Sequence, residues 1–359
     1  MQTDIYRQLQ QKLDQYSMGF PATESGLDQK ILKYLFSESD AVMFHAMTLM
    51  PETAQEVAAR LERPETEVFE HLEDMAENGL LFRIKSDRHG SRYSAIPFVH
   101  GLFEFQIKDI KHDLVEMVKA YSEEAFDGAM QQGAEYFLRT IPVQESIDVT
   151  HNVASYDDAI EILRNNKRVV ITECICRKSA ALLDQTCGKP LETCFMFGAM
   201  GQYYLDRGMG REITFEEAVD ILDKCREAGL VTQPATSQNP GGMCNCCGDC
   251  CGVLIALNKH PKPVELVFSN YYAAVGADDC TGCGECTTRC PMKAVTIDDN
   301  GIASVNRDRC IGCGLCITTC PAETMKLLSK SDLERRIPPK NLLEQAMLMA
   351  QKRGLVLHK

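Results

Sequence analysis

Through the first 140 residues, apolar side chains return every three or four positions, the period of amphipathic helices. Residues 1–27 read as one such helix and a Pro-Gly-containing connector. A second helix fits Asp28 to Phe36. PETAQEVAARL (51–61) follows, opened by Pro51 and Glu52, and Arg63-Pro64 makes a turn. PETEVFEHLEDMAENGLL (64–81) has Pro64 near its start and Gly79 just past its end, the ordinary helix punctuation. LFRIKSDRHGSRYSAI then alternates as two short strands about a polar turn. Between 100 and 140, Phe103, Ile107, Ile110, Leu114, Met117, Val118 and Tyr121 predict one long amphipathic helix.

Beyond residue 140 the period changes. Ser155 with Asp158 reads as a capping pair for a helix through Leu163. RVVITECIC (168–176) is the β-branched run of a buried strand. Thr214 and Glu217 form a capping box for a helix that stops at Gly229. Asn300-Gly301, inside AVTIDDNGIASV, signals a hairpin turn. NLLEQAMLMAQKRG is a helix set off by Pro338-Pro339. The pattern predicts an α+β multidomain chain. Its parts are an N-terminal helix (1–27), a helix-and-hairpin domain (28–98), long linking helices (99–145), a largely helical Cys-rich middle domain (146–276), a compact domain at 277–330 and a C-terminal helical tail (331–359).

Composition narrows the class. The 359 residues are 45% hydrophobic and 25% charged, as in soluble globular proteins. The longest apolar run, AVMFHAMTLM at 41–50, falls well short of the ~20 residues of a membrane span. MQTDIYRQLQQKLDQ lacks the basic start and apolar stretch of a signal peptide. A cytoplasmic location is therefore expected. Net charge is −13, which disfavours an extended nucleic-acid footprint and allows basic protein partners.

The 18 cysteines change the picture most. All lie between 174 and 320, too tightly grouped for a disulfide framework and well suited to metal. CTGCGECTTRCP (280–291) is C-x2-C-x2-C-x3-C-P, and CIGCGLCITTCP (310–321) repeats it. This resembles the bacterial two-cluster ferredoxin pattern. The resemblance implies two [4Fe–4S] clusters, one held by Cys280, Cys283, Cys286 and Cys320, the other by Cys310, Cys313, Cys316 and Cys290. It also implies the small hairpin between the loops. Helix, turn, helix and hairpin over 28–95 resemble a winged helix-turn-helix domain. Yet the helix that would read DNA carries Glu65, Glu67, Glu70, Glu73, Asp74 and Glu77 and no Lys or Arg, which repels phosphate. The hairpin offers Lys85, Arg88, His89 and Arg92. Protein docking or pairing of two copies through the N-terminal helices is the expected role.

Ten cysteines lie outside the ferredoxin pattern. Cys225 falls on an apolar helical stripe and reads as a buried structural thiol. Cys174, Cys176, Cys187 and Cys194 form one group. Cys244, Cys246, Cys247, Cys250 and Cys251, in GGMCNCCGDCCG, form another. Nine thiols suffice for one or two further Fe–S clusters, with zinc or a redox dithiol as alternatives. Cys246 and Cys247 can hardly converge on one ion, so the loop either lies between two centres or leaves thiols spare. Arg177 and Lys178 would offset thiolate charge or form a solvated pair. Tyr203 and Tyr204, near Gly201, could supply protons to a middle site, but core packing is the preferred reading. ITECICRK, FMFGAMGQYYLDRGMGREITFEEA, MCNCCGDCC and the ferredoxin pair together resemble 4Fe–4S ferredoxin-type proteins of anaerobic bacteria. That implies electron transfer with redox protein partners, donor and acceptor undefined. Two further readings stay open. One is an oxidoreductase acting at the middle site, although no dinucleotide or phosphate loop is present. The other is a redox-sensing winged-helix regulator.

Overall fold

The computed structural model describes residues 4–86, 90–131, 138–143, 146 and 154–355. It opens with helices Ile5–Leu13, Leu27–Leu35, Glu38–Ala46, Ala54–Leu61 and Glu65–Glu77. Thr53 caps the fourth helix reciprocally with Glu56, so that helix starts after Thr53 and not at Pro51. Glu52–Thr53 instead pairs with Arg92–Tyr93, the edge of a small sheet completed by Phe82–Ile84. Some acids of Glu65–Glu77 have a structural task. Glu73 and Glu77 hold the buried Arg83 at 2.8 and 2.7 Å. Lys85 pairs with Asp206 and Arg92 with Glu56, while Arg88 and His89 lie outside the described residues.

The long helix expected over 100–140 is broken. Glu104–Gln106 make one tight turn, Lys111 is extended, and a separate helix runs His112–Tyr121. All seven apolar positions are buried nevertheless. The break lets two aromatic groups pack in different places. Phe105 reaches Tyr203 with ring centroids 4.6 Å apart, and Tyr121 reaches Phe20 at 4.8 Å. Continuity lost to tertiary packing while the burial pattern survives.

The middle region is not largely helical. It is built on a five-stranded antiparallel sheet, ordered Gly210–Ile213, Val169–Glu173, Glu192–Phe197, Gly242–Cys246, Val231–Pro234. Helices Ile175–Leu182, Gly198–Asp206 and Phe215–Glu227 join its strands, and helix Gly252–Lys259 follows the last of them. Two of these strands, ETCFMF and GMCNC, hide their alternation behind cysteines, which read as motif before they read as strand. Asp158 alone caps helix Ala159–Arg164, accepting from the Ile160 and Glu161 amides, with Ser155 in the preceding turn. Thr214 caps helix Phe215–Glu227, but the Glu217 carboxylate goes to Arg211 at 2.6 Å.

In the last part, strands Tyr271–Val275 and Met325–Ser329 pair antiparallel and bring its two ends together. Val295–Ile297 and Ala303–Val305 form the expected hairpin, with Gly301 at φ +77° in its turn. Helix Leu342–Lys352 then returns to the start of the chain, where Arg353 meets Asp14. Among the described residues, no helix is long and apolar enough to cross a membrane.

Candidate functional site

The eight cysteines of the repeat line two cavities. Cys280, Cys283, Cys286 and Cys320 surround one, and Cys290, Cys310, Cys313 and Cys316 the other. The crossed membership is the one that the repeat implies, because the cysteine before each proline is carried to the opposite loop. Backbone amides point at sulfur in both: Ala303 at Cys280 (3.4 Å), Ala294 at Cys290 and Ala273 at Cys310 (3.3 Å each). Gly312 is left-handed at φ +68°, and a Cβ there would stand 2.6 Å from Ser269 Oγ. The loop can close over its cavity only without a side chain at this point. Cys283 is exposed, whereas Cys313 and Cys316 are buried. One cavity thus has an outer edge and the other an inner edge.

The remaining nine thiols separate into two groups. Cys174, Cys176, Cys251, Cys246, Cys244 and Cys194 form a closed ring, each sulfur neighbouring the next. Cys187, Cys247 and Cys250 form a triad whose sulfurs all lie within 4.8 Å of one another. Local structure causes the split. Cys244 and Cys246 lie on one strand, two residues apart, so they share a face. Asn245 between them points the other way, donating to Thr193 O at 2.9 Å. The chain turns after Cys246, which sends Cys247 and Cys250 to the triad. Cys251 returns to the ring at the N-cap of helix Gly252–Lys259. Each adjacent pair of cysteines is thereby divided between two places, so the loop lies between the two thiol groups.

Charge in the ring is concentrated. Hydrogen bonds from Cys176 and Cys194, aided by Arg177, hold the Cys174 thiol well below its usual range. Cys176 and Cys194 are pushed well above it, first by the bonds they give to Cys174. Arg177 is the buried cation of this region, 4% exposed. Its guanidinium donates to Thr193 Oγ1 and, from both terminal nitrogens at 3.2 and 3.3 Å, to Asn245 O, and it faces Cys174 and Cys194 of the ring and Cys247 of the triad. Its Nε has no hydrogen-bond partner among the described residues. A buried donor of this kind suits an anionic thiolate-bound centre. Lys178, by contrast, reaches Glu173 at the surface.

Two residues that sequence reasoning missed, His100 and Glu104, face the ring together with Tyr204, which it weighed as a proton donor and read as core. The His100 side chain keeps 36% of its surface and Glu104 keeps 12%, with 3.8 Å between them. Burial is nonetheless the first influence on both. It lowers His100 to about 4 and raises Glu104 to about 8, and each also feels Cys174. Tyr204 is buried between Glu104 and the ring sulfurs Cys194 and Cys244, and burial, then Glu104, pushes its hydroxyl well up. The i, i+4 spacing in HGLFE was the one signal available, and it is weak without a known neighbour. Cys225 is core as expected, its thiol raised to about 12 by burial. Tyr203 is core too, donating to Ala76 O and Leu81 O at 2.9 Å.

The quintet loop and the inner ferredoxin cavity meet through backbone. A Cβ on Gly248 would stand 3.1 Å from Pro291 O, and Asn258 donates to the same oxygen at 2.9 Å. Pro291 directly follows Cys290 of the inner cavity. Compared with known proteins, the chain finds no match among curated proteins and none among solved structures. The family model of the 4Fe-4S dicluster domain matches residues 270–327. That segment, with its two cysteine-lined cavities, is a ferredoxin-type iron–sulfur domain.

Proposed function

We propose that this is an electron-transfer protein that passes single electrons between an outer protein partner and a centre held by the six-thiol ring. The residues fit the groups this requires. Four cysteines line each cavity, amides are aimed at their sulfurs, and a buried Arg177 with an unused donor stands beside the ring. In this reading Cys280, Cys283, Cys286 and Cys320 hold one [4Fe–4S] cluster, and Cys310, Cys313, Cys316 and Cys290 the second. The ring thiols hold a further iron–sulfur centre. When bound, these clusters supply one-electron chemistry. The chain supplies the order. Exposed Cys283 offers an edge to a partner, buried Cys313 and Cys316 exclude water, and the Gly248–Pro291 contact sets the inner cavity against the quintet loop. The observation that carries the reading is this last contact, which joins two separately recognisable cysteine systems. Residues 28–98 are read as a winged-helix-like module for docking a partner or a second copy, with nucleic acid disfavoured by its acidic helix.

The test is iron and sulfide content with EPR of the reduced protein, purified without oxygen. More than eight irons, with signals beyond those of the paired ferredoxin clusters, is the expected outcome. Eight or fewer would remove the ring centre from the proposal.

A reductase reading is favoured by one observation, the grouping of His100, Glu104 and Tyr204 beside the ring. There a small molecule could meet both a proton donor and the ring. Turnover with candidate acceptors that falls in Glu104→Gln while reduction of the clusters persists would support it.

A further inference from the structure

The triad differs from every other cysteine set in one geometric respect. Its three sulfurs are mutually close, all within 4.8 Å, and Cys187 Sγ lies 3.9 Å from Cys247 Sγ. Among the described residues, no other three ligand-type side chains come together in this way. In the ring, contact runs from neighbour to neighbour. In the triad it converges on a point. A tetrahedral ion with metal–sulfur bonds of about 2.3 Å sets its sulfurs about 3.8 Å apart. The Cys187–Cys247 separation of 3.9 Å is close to that value, and the third sulfur lies within 4.8 Å of both.

Its position agrees. Cys187 belongs to the connection between helix Ile175–Leu182 and strand Glu192–Phe197, and Cys247 and Cys250 to the quintet loop. The two segments are already strapped by Lys189 and Asp249 at 2.8 Å. Cys247 is fully buried against Arg177, while Cys187 and Cys250 are partly open, so an ion can enter from solvent. Arg177 balances part of the negative charge that three thiolates would bring.

We propose that Cys187, Cys247 and Cys250 bind one thiophilic divalent ion of the zinc class, with the fourth position open to solvent. The ion would displace the thiol protons on binding and clip the 187 connection to the quintet loop. The proposal does not depend on the electron-transfer reading, because it uses none of the ring or ferredoxin thiols.

The experiment is zinc and iron per chain by mass spectrometry on the full-length protein, purified without oxygen or chelator. It compares the unaltered chain with Cys187→Ser, Cys250→Ser and, from the ring, Cys246→Ser. About one zinc is expected in the unaltered chain and in Cys246→Ser, with at least a fivefold loss in the two triad variants and iron unchanged there. Protein grown with cobalt should show thiolate-to-cobalt absorption that Cys187→Ser abolishes. If the serine variants fail to fold, the cobalt spectrum of the unaltered chain decides. Tetrahedral thiolate bands support the site and their absence overturns it. Loss of iron instead of zinc in Cys187→Ser also overturns it, since the triad would then belong to an iron cluster. Zinc retained in a chain without ring iron would sink the electron-transfer reading and leave this one standing.

Discussion

Replacing Gly312 by alanine isolates what the ferredoxin loops demand of their backbone. Gly312 sits at φ +68°, where an L-residue costs about 1–2 kcal/mol. Its new Cβ would also stand 2.6 Å from Ser269 Oγ and 2.7 Å from the Tyr271 carbonyl carbon, closer than real Cβ atoms approach. Relief requires the start of strand Tyr271–Val275 to move, and such overpacking adds about 1–3 kcal/mol. Two residues along that strand, Ala273 N–H donates to Cys310 Sγ, so the displacement is delivered to the inner cavity. Gly26 is the control. It has φ +77° with nothing within 4 Å of its Cβ position, so Gly26→Ala carries the conformational cost alone. The assay is iron and sulfide content with low-temperature EPR, beside anaerobic denaturant unfolding. Gly312→Ala should lose about four irons and one ferredoxin-type signal, while Gly26→Ala keeps all its iron. Full iron in Gly312→Ala, with stability equal to that of Gly26→Ala, would refute the reasoning.

Arg177→Gln should destabilise the chain by about 3–5 kcal/mol and deplete the iron beyond the ferredoxin pair, because it leaves the thiolates of both middle groups without their buried counter-charge; iron analysis and unfolding midpoints check it. Glu104 keeps its proton in the folded state up to about pH 8, against 4.5 ordinarily, so its stabilisation is full below about 4.5 and is lost as pH rises toward 8. The unaltered chain should therefore be about 2–3 kcal/mol less stable at pH 8.5 than at pH 6 from this group, and Glu104→Gln should flatten that slope in urea titrations; parallel slopes would contradict it. Tyr203→Phe removes the bonds to Ala76 O and Leu81 O that tie the N-terminal helices to helix Gly198–Asp206, and should cost about 1–3 kcal/mol in unfolding measurements with iron content unchanged.

The repeated cysteine spacing alone determined the ferredoxin domain, since eight cysteines in two short loops leave the chain few ways to arrange them and the prolines and hairpin turn agree. Helix existence and burial were likewise legible, because a period of 3.6 survives wherever one face meets a core. Three things were not. The sheet of the middle region was hidden because cysteines occupy strand positions in ETCFMF and GMCNC, where a β-branched residue would have announced a strand. The break at Lys111 was hidden because apolar period measures burial and not continuity. The division of nine thiols into a ring of six and a triad of three was also beyond the sequence. It follows from a strand that puts Cys244 and Cys246 on one face and a turn that sends Cys247 and Cys250 elsewhere, brought against cysteines some sixty residues away. Sequence counted the thiols; only the register of the sheet and the return of the chain decided which of them meet, because proximity between distant segments depends on packing that no local spacing encodes.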